Sequence, residues 1–447
     1  MTAQKAHPPG APEGGWTTLI DDIREGRWIS PLTGTAAPAA PFETIRIEDD
    51  LDGAEAELVA ALGFDRDTVV VADENTWEAM GRRVTRNLGD LPNVVIAGDA
   101  HADEPMVATL SEKLRGFTHV VAVGGGTVND LCKYVTAADG RRYCVFGTAA
   151  SMDGYTSTTA SITRASGLKT SLPAQAAAGV YLDLSVAAAA PARLSAAGFG
   201  DTICRSVCQT DWWLSHRLLG TDYHATPYVM AAGDEAIVMD TAPALAAQSR
   251  DAVGYLQRAL VLSGLGVAFT GTSAHGSQSE HQVSHYIDCF AGDRHPGTLH
   301  GEQVGVATLT MARLHESILA EEDPPVLQPT RVDAADMARR MGREIGAQCA
   351  EAYREKAHGV EETARLNDRL AEIWPDLRRE IAAFAVPSDR IAALLRAAGA
   401  PVTSDDLGVA KPLWREAVRH GHEMRNRYSF ADLACDAGLL DRFAETA

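Results

Sequence analysis

The sequence predicts an N-terminal α/β domain built on a parallel sheet, followed by an all-α C-terminal domain. In the first part of the chain, short β-branched runs alternate with helix-like stretches. Beyond about residue 190, Ala, Leu, Arg and Glu recur at helical spacing, as in 253–268 and 333–384. We therefore expect a flexible extension over residues 1–45, an α/β domain over 46–188 and a helical domain over 189–447.

Four short apolar runs define the predicted sheet. They are VVVAD at 69–73, VVIAG at 94–98, HVVAVG at 119–124 and YCVFG at 143–147. Helix-like stretches, such as Trp77–Leu88 and Met106–Leu114, separate them. This rhythm predicts a Rossmann-like parallel sheet covered on both faces, with ligands at the carboxyl ends of its strands.

A run of three glycines, Gly124 to Gly126, follows the third of these strands and precedes a helix predicted from Val128 to Val135. Backbone amides of such a turn, at a helix N-terminus, suit a pyrophosphate. The alternative is a tight connection without a ligand. Asp73 ends the first strand, where an acidic residue either reads a ribose hydroxyl or caps a helix.

Charge and composition exclude several classes of partner. With 40 Lys+Arg against 60 Asp+Glu, the formal net charge is −20, and no basic run interrupts it. We expect no nucleic-acid partner and no binding to anionic lipid. The start of the chain lacks the basic and apolar regions of a signal peptide, and no apolar stretch approaches the ~18 residues of a membrane span.

The seven cysteines contain no CxxC pair, which predicts reduced thiols and a cytoplasmic protein. Cys204 and Cys208 are one helical turn apart. They either contribute to a metal site or are small buried apolar side chains, and the second interpretation is favoured.

Three features of the helical half are candidate metal ligands. Asp201 follows Gly-Phe-Gly and is expected at a helix start, where it is either a ligand or a cap. His281 and His285 are four residues apart, so they share one helix face, either as ligands or as an ordinary polar face. His300 precedes Gly-Glu-Gln at another predicted helix start. One carboxylate with two imidazoles would leave coordination positions open for substrate, as in a catalytic site.

Several segments, in this order, resemble the sn-glycerol-1-phosphate dehydrogenase family, especially its bacterial branch. They are VAVGGGTVND, GTAASMDGYTSTTASI, GLKTSLPA, AAGFGDTICRSVCQTDW, SEHQVSHYID and HGEQVGV, with fainter similarity in LLRAAGAPVTSDDLG and MRNRYSFADL. The similarity covers about residues 50–310. That family belongs to the iron-containing alcohol dehydrogenase and dehydroquinate synthase-like superfamily.

The resemblance implies a binding site for NAD(H) or NADP(H). Residues implied to bind it are Gly124, Gly125, Gly126, Thr127, Val128, Thr148, Ala149, Ala150, Ser151 and Ser157, with Asp73 a further candidate at the ribose. The resemblance also implies Asp201, His281 and His300 as ligands of one divalent metal, Zn²⁺ or alternatively Ni²⁺ or Fe²⁺. Asp153 and His285 would contact substrate, and Asp201 would lie beside it.

The implied activity is the reversible, metal-dependent reduction of dihydroxyacetone phosphate to sn-glycerol 1-phosphate. The metal would polarise the ketone, and His285 is the candidate proton relay because its reference pKa is ~6.5. Two alternatives stay open: a dehydrogenase of another polyol or sugar phosphate, and a dehydroquinate-synthase-like cyclase. The cyclase fits less well, because that family resembles a glutamate pattern at the first metal ligand, where this chain has Asp201.

A phosphorylated substrate needs cations in a protein of this charge. Lys169, in GLKTS, and Arg205, one turn beyond Asp201, are the candidates, although each is more often a surface or structural residue. The extension and the EEDPPVLQPT insert at 321–330, a predicted surface loop, are longer than the family core needs. We expect a homodimer or a higher homo-oligomer.

Overall fold

The computed structural model describes residues 7–37, 39–98 and 100–447, which form two compact units. The first unit takes in the chain up to Thr202, with Thr226–Thr272 and Ala397–Gly399. The second comprises Ile203–Ala225, Ser273–Arg396 and Ala400–Ala447. The predicted domain boundary at residue 188 therefore differs from this division, because helices between 226 and 272 pack with the sheet.

The strands, β1 to β8 in chain order, are Thr44–Glu48, Thr68–Asp73, Asn93–Ile96, His119–Gly124, Arg142–Gly147, Thr159–Thr163, Lys169–Pro173 and Gly179–Asp183. The α-helices, α1 to α21 in chain order, are Thr18–Arg24, Glu55–Ala61, Glu74–Thr76, Arg82–Asn87, Glu104–Lys113, Gly126–Asp139, Leu184–Ala189, Ala192–Ile203, Arg205–Leu219, Thr226–Asp240, Ala242–Ala246, Arg250–Thr270, Ser279–Phe290, His300–Leu319, Ala334–Met341, Arg343–Glu355, Val360–Ala382, Ser388–Ala397, Lys411–His420, Phe430–Asp436 and Leu440–Thr446. Short 3-10 turns cover Gly154–Thr156, Gly292–Arg294 and Gly421–Met424, and a π-helical turn covers Trp77–Gly81.

Six parallel strands form the sheet of the first unit, in the order β1-β8-β5-β4-β2-β3. Residues 69–72, 120–123 and 143–146 are fully buried, as expected of a parallel sheet covered on both faces. The four predicted strands are thus confirmed. The pattern missed β1 and β8, and also β6 and β7, which form a separate antiparallel hairpin.

The sequence predicts a flexible stretch over residues 1–45, but its described part is folded. Ile20 and Ile23, on α1, are fully buried. The Trp16 ring lies edge-on to Tyr255, with ring centroids 5.3 Å apart, and its Nε1 donates to Asp49 over 3.1 Å. Apolar residues at positions 16, 20 and 23 give the extension one buried face, a spacing that its Pro, Gly and Ala content obscured.

Helix α12, Arg250–Thr270, is long and apolar enough to cross a membrane by length and composition. Most of it is instead buried inside the protein, as in a core helix. Gly254 leaves room for Trp16, since a Cβ there would lie 2.5 Å from the indole ring. Gly264 likewise leaves room for the backbone oxygen of Asp153, since a Cβ on Gly264 would lie 2.4 Å from that oxygen. The helix therefore supports the loop of the first unit that carries Asp153.

The second unit is helical, as predicted for this half of the chain. The insert at 321–330 forms an irregular loop between α14 and α15. Leu327 anchors it: the side chain is 2% exposed, and the backbone exchanges hydrogen bonds with the amide of Asn367.

Candidate functional site

The glycine turn joins β4 to α6 at the carboxyl end of the sheet. Gly125 precedes the helix in extended conformation, and no side chain caps the helix. Since the first amides of a helix have no partner within it, those of Gly126, Thr127 and Val128 suit an anion. None of the three glycines has a positive φ. Gly124 is required for a different reason: a Cβ there would lie 2.7 Å from the Val128 side chain.

The segment after β5 lies directly beside this turn. Thr148 donates its backbone N–H to Gly124 O over 3.3 Å, and the Tyr155 hydroxyl donates to Gly124 O and Ala149 O. Ala149 and Ala150 are buried, whereas Ser151 is partly exposed. The two predicted cofactor segments are therefore brought together by hydrogen bonds at adjacent strand ends.

Gly198 controls the position of this second segment. A Cβ on Gly198 would lie 2.0 Å from Ala150 O, so α8 and the segment touch backbone to backbone. The Gly-Phe-Gly motif was expected to make a turn before a helix, with Asp201 at the helix start. That expectation is wrong: Asp201 lies in the last turn of α8, because the glycine is used for close packing inside the helix.

Two other predicted cofactor residues have local structural roles. Asp73 caps α3: its Oδ1 accepts from Thr76 N over 2.8 Å, and the Thr76 hydroxyl accepts from Asp73 N. Ser157 is buried, and its Oγ accepts from Thr159 N over 3.1 Å. The cap interpretation of Asp73 is thus confirmed, while a ribose contact through its other oxygen stays a prediction.

Asp153 and Asp201 adjoin each other within the first unit. Asp153 donates its backbone N–H to Asp201 Oδ2 over 3.3 Å. The buried Ser263 hydroxyl donates to Asp153 Oδ2 over 2.9 Å, which fixes the rotation of that carboxylate. Sequence reasoning missed Ser263, because an ordinary serine in an apolar helix gives no signal.

Lys133 is a second supporting residue that the sequence did not reveal. It is fully buried on α6, and its Nζ donates to Gly154 O over 2.7 Å and to Thr159 O over 3.0 Å. Burial lowers the pKa of Lys133, and the nearby Asp130 carboxylate partly offsets this effect. The lysine therefore ties the loop that carries Asp153 to the helix that follows the glycine turn.

Three imidazoles cluster in the second unit. His281 and His285 lie on one face of α13, and His300 is the first residue of α14. The ring centroid of His300 lies 5.0 Å from that of His281 and 5.7 Å from that of His285. The predicted helix face and helix start are confirmed, and the rings are close enough for two of them to share one metal ion.

His281 is oriented by a buried carboxylate next to it in sequence. Glu280 is fully buried, and its Oε1 lies 2.6 Å from His281 Nδ1. The same oxygen lies 2.9 Å from Cys208 Sγ and accepts from Gln278 N. A metal-binding histidine usually donates its other ring N–H to such a partner, which leaves Nε2 as the ligand atom.

Cys204 and Cys208 lie beside this carboxylate and are both buried. They pack with Val304 in an apolar cluster. Their ligand atoms also lie within 4.8 Å of those of Glu280 and His281, so the geometry is compatible with both interpretations. Burial, Cys204 and Glu280 raise the pKa of the Cys208 thiol well above its ordinary value. A protonated thiol can donate to Glu280, and this pair thus forms part of the packing around His281.

His285 contacts an arginine that sequence reasoning missed. Arg425 Nη2 lies 3.0 Å from His285 Nδ1. Because a guanidinium only donates, Nδ1 is the acceptor, and the ring proton lies on Nε2. Arg425 belongs to MRNRYSFADL, a segment whose faint resemblance carried no assigned role.

The two predicted phosphate cations differ in setting. Lys169, in the first unit, begins β7, pairs with Thr163 across the hairpin and is partly exposed. Arg205, in the second unit, is the first residue of α9 and is 3% exposed. Lys169 is therefore more accessible to a ligand than Arg205 is.

The sequence of this chain is similar to those of known proteins. A sequence model of the iron-containing alcohol dehydrogenases matches residues 46–191. The chain is 30% identical to the glycerol-1-phosphate dehydrogenase [NAD(P)+] of Bacillus velezensis, over 86% of this chain and 90% of that one. It is 31% identical to the enzyme of the same name from Thermococcus kodakarensis, over 61% of this chain and 77% of that one.

The fold is also found in solved enzyme structures. A probable glycerol dehydrogenase from Sinorhizobium meliloti superimposes with a TM-score of 0.60 at 18% identity, over 92% of this chain and all of that one. This likeness concerns the fold. The sequence identity to the Bacillus relative, over nearly the whole of both chains, shows that this chain belongs to the glycerol-1-phosphate dehydrogenase family of iron-containing alcohol dehydrogenases.

Proposed function

We propose that this chain catalyses the reversible, metal-dependent reduction of dihydroxyacetone phosphate to sn-glycerol 1-phosphate with NADH or NADPH. The observation that carries the proposal is the 30% identity to a glycerol-1-phosphate dehydrogenase [NAD(P)+] over 86% of this chain. The clustered histidines of the second unit and the paired Asp153 and Asp201 of the first support it, because this chemistry needs such groups.

Asp201, His281 and His300 are the proposed ligands of one divalent ion. A carboxylate with two neutral imidazoles suits Zn²⁺, and also Ni²⁺ or Fe²⁺. The contact of Glu280 with His281 Nδ1 supports the assignment, since it leaves His281 Nε2 to face an ion.

The proposed cofactor site is the carboxyl end of the sheet. The amides of Gly124 to Val128 would hold the pyrophosphate at the N-terminus of α6. Thr148, Ala149, Ala150, Ser151 and Ser157 would flank the nicotinamide half. Asp73 Oδ2 would accept from a ribose hydroxyl, since Oδ1 already caps α3.

When bound, reduced nicotinamide would supply the hydride for the ketone carbon, and the divalent ion would supply Lewis-acid polarisation of the carbonyl. His285 delivers the balancing proton from Nε2 to the substrate oxygen. Arg425 keeps Nδ1 unprotonated, so Nε2 carries the ring proton. Asp153, held by Ser263, accepts a hydrogen bond from a substrate hydroxyl.

The remaining proposals concern the surroundings of the reaction. Lys169 contributes positive charge to the substrate phosphate. The acidic surface, with net charge −20, opposes nucleic acid as a partner. Reduced cysteines favour the cytoplasm, and symmetry statistics favour a homodimer or a higher homo-oligomer.

The test is the loss of absorbance at 340 nm when dihydroxyacetone phosphate is added to the purified protein with NADH or NADPH. It is run before and after chelation, and again after repletion with zinc, nickel or iron. We expect stoichiometric, chelator-sensitive oxidation of the nicotinamide. A cyclase would return its hydride and consume no NADH, and an inert mixture with metal present would disprove the proposed substrate.

A further inference from the structure

Two thiols, a carboxylate and an imidazole meet inside the second unit, where α9 packs against α13. Cys204 directly precedes α9, and the N–H of Cys208 donates to its backbone oxygen over 2.9 Å, so the two thiols are one helical turn apart. Glu280 and His281 lie in the first turn of α13. All four residues are buried, and their ligand atoms lie within 4.8 Å of one another.

The size of this group of four residues, which we call the thiol cluster, suits a single metal ion. Bonds of about 2.3 Å to sulfur and about 2.0 Å to nitrogen or oxygen place tetrahedral ligand atoms roughly 3.3–3.8 Å apart. Cys208 Sγ and Glu280 Oε1, at 2.9 Å, are already closer than this. Small rotations of the side chains therefore bring the four ligand atoms to bonding distance of one ion.

Glu280 contributes an incompletely paired carboxylate to the thiol cluster. The side chain is fully buried, and its Oε1 accepts from Gln278 N over 2.9 Å. Among the described residues, its Oε2 has no hydrogen-bond partner. A buried carboxylate oxygen without a donor is costly, and a cation removes that cost. Oε2 can bind an ion while Oε1 keeps its contact with Gln278.

The charge of the thiol cluster is compatible with a buried ion. Both thiolates and the carboxylate are negative, so a divalent ion leaves about one negative charge. The guanidiniums of Arg425 and Arg427 both interact electrostatically with Glu280, and that of Arg427 also interacts with Cys208. The remaining negative charge is therefore offset by neighbouring positive charge, which a buried charge requires.

We propose that Cys204, Cys208, Glu280 and His281 form a second metal site, for Zn²⁺ or another thiophilic divalent ion. Thiolate, imidazole and carboxylate ligands together suit Zn²⁺. Four buried protein ligands complete a tetrahedral shell, so this site is structural: it joins α9 to the start of α13 and leaves no coordination position for a substrate. The inference does not depend on the proposed function, although the two share His281.

The two nitrogens of His281 allow it to serve both sites. Nδ1 faces the thiol cluster, since it lies 2.6 Å from Glu280 Oε1, and Nε2 is the atom proposed for the ion with Asp201 and His300. With both ions bound, the imidazole bridges them. Binding then displaces one proton from each thiol and the proton on Nδ1, and all of these protons leave to solvent.

The test is a titration of the full-length wild-type protein with Co²⁺ after chelation and dialysis. Co²⁺ takes the place of Zn²⁺ in tetrahedral sites, and its bonds to thiolates give charge-transfer absorption in the near ultraviolet. We expect this absorption, together with about two bound ions per chain by elemental analysis. Saturation without thiolate absorption would overturn the second site and show that the cysteines only pack.

Substitutions assign the absorption to these two thiols. The double variant Cys204→Ser and Cys208→Ser should lose the charge-transfer band and bind about one ion fewer per chain. Cys208→Ala, which suits an apolar environment, should lose about half of the band and provides the comparison if the double variant does not fold. The control is Cys349→Ser, at a buried cysteine on α16, which should keep the wild-type spectrum.

The outcomes separate this site from the proposed function. A band that persists in the double variant or is unchanged in Cys208→Ala would overturn the second site, because other thiols would then hold the ion. One ion per chain with the thiolate band would support the second site and contradict the ligand set proposed for catalysis. None of these readouts requires turnover of dihydroxyacetone phosphate, so the second site can be established or rejected whether or not that ketone is the substrate.

Discussion

Glu280 Oε1 lies 2.6 Å from His281 Nδ1, so a fully buried carboxylate sets the tautomer of a proposed metal ligand. The two residues are neighbours in sequence, yet both side chains are buried at the start of α13. Such partners orient the imidazole and raise its basicity toward the ion.

Glu280→Gln should therefore weaken metal binding by roughly 10- to 100-fold. The amide has the same shape, but it is uncharged and presents a donor where the carboxylate accepts. Competition with a chromophoric chelator measures the affinity. The control is Glu344→Gln, an exposed position on α16 that should leave the affinity unchanged. An unaltered affinity in Glu280→Gln would show that His281 does not depend on this contact or does not bind the metal.

His285→Gln should lower turnover by about 100-fold or more, the usual contribution of general acid–base catalysis. Glutamine can accept from Arg425 but cannot exchange a proton, so the loss should appear in kcat. Initial rates are measured across pH 5 to 9. His216→Gln, near the end of α9, is the control. Full turnover at every pH would remove His285 from the proton relay.

Gly198→Ala should destabilise the protein by roughly 1–3 kcal/mol, because overpacking forces a backbone shift. The new Cβ would lie 2.0 Å from Ala150 O and would displace the segment proposed to flank the nicotinamide. Guanidinium unfolding measures the stability, and fluorescence titration measures NAD(P)H affinity, which should also fall. Gly233→Ala, also within a helix but facing open space, should instead be neutral or slightly stabilising. Similar results for both variants would contradict the packing argument.

Asp436 should make the protein less stable as the pH rises. Burial raises the pKa of this carboxyl to about 7 from 3.8, although the hydrogen bond from Thr330 lowers it somewhat. The folded protein therefore retains a proton that the unfolded chain has lost, so stability is greatest below about pH 4 and declines toward pH 7. This is the contribution of Asp436 alone.

Asp436→Asn removes that contribution, since an amide does not titrate. The free energy of unfolding of the variant, relative to wild type, should increase between pH 5 and pH 8. Denaturant unfolding at a series of pH values measures it, with the exposed Asp368→Asn as control. A difference that does not vary with pH would mean that Asp436 titrates normally.

Lys169→Ala should raise the KM for dihydroxyacetone phosphate by about tenfold, the scale of one charged hydrogen bond. The KM for unphosphorylated dihydroxyacetone should stay near the wild-type value. Steady-state assays with both ketones make the comparison. An equal effect on the two would exclude Lys169 from phosphate recognition.

The sequence predicted those parts of the fold and site that rest on local patterns. Runs of valine revealed β2 and β4, and the four-residue spacing of His281 and His285 revealed a shared helix face. Asp201 was misplaced because Gly198, three residues before it, serves a close backbone contact within a helix, whereas a glycine at that position resembles a turn signal in sequence. Arg425 was missed because its contact with His285 spans 140 residues, and no local pattern reports a contact at that separation.

Two glycines of helix α12 make close contacts: Gly254 packs against the Trp16 ring, and Gly264 packs against Asp153 O. Each added residue would turn everything beyond it by 100° and advance it by 1.5 Å. A single insertion between these glycines would thus move Gly264 away from Asp153 O if Gly254 stayed against Trp16, or the reverse. The number of residues along α12 therefore helps to determine the position of the loop that carries Asp153.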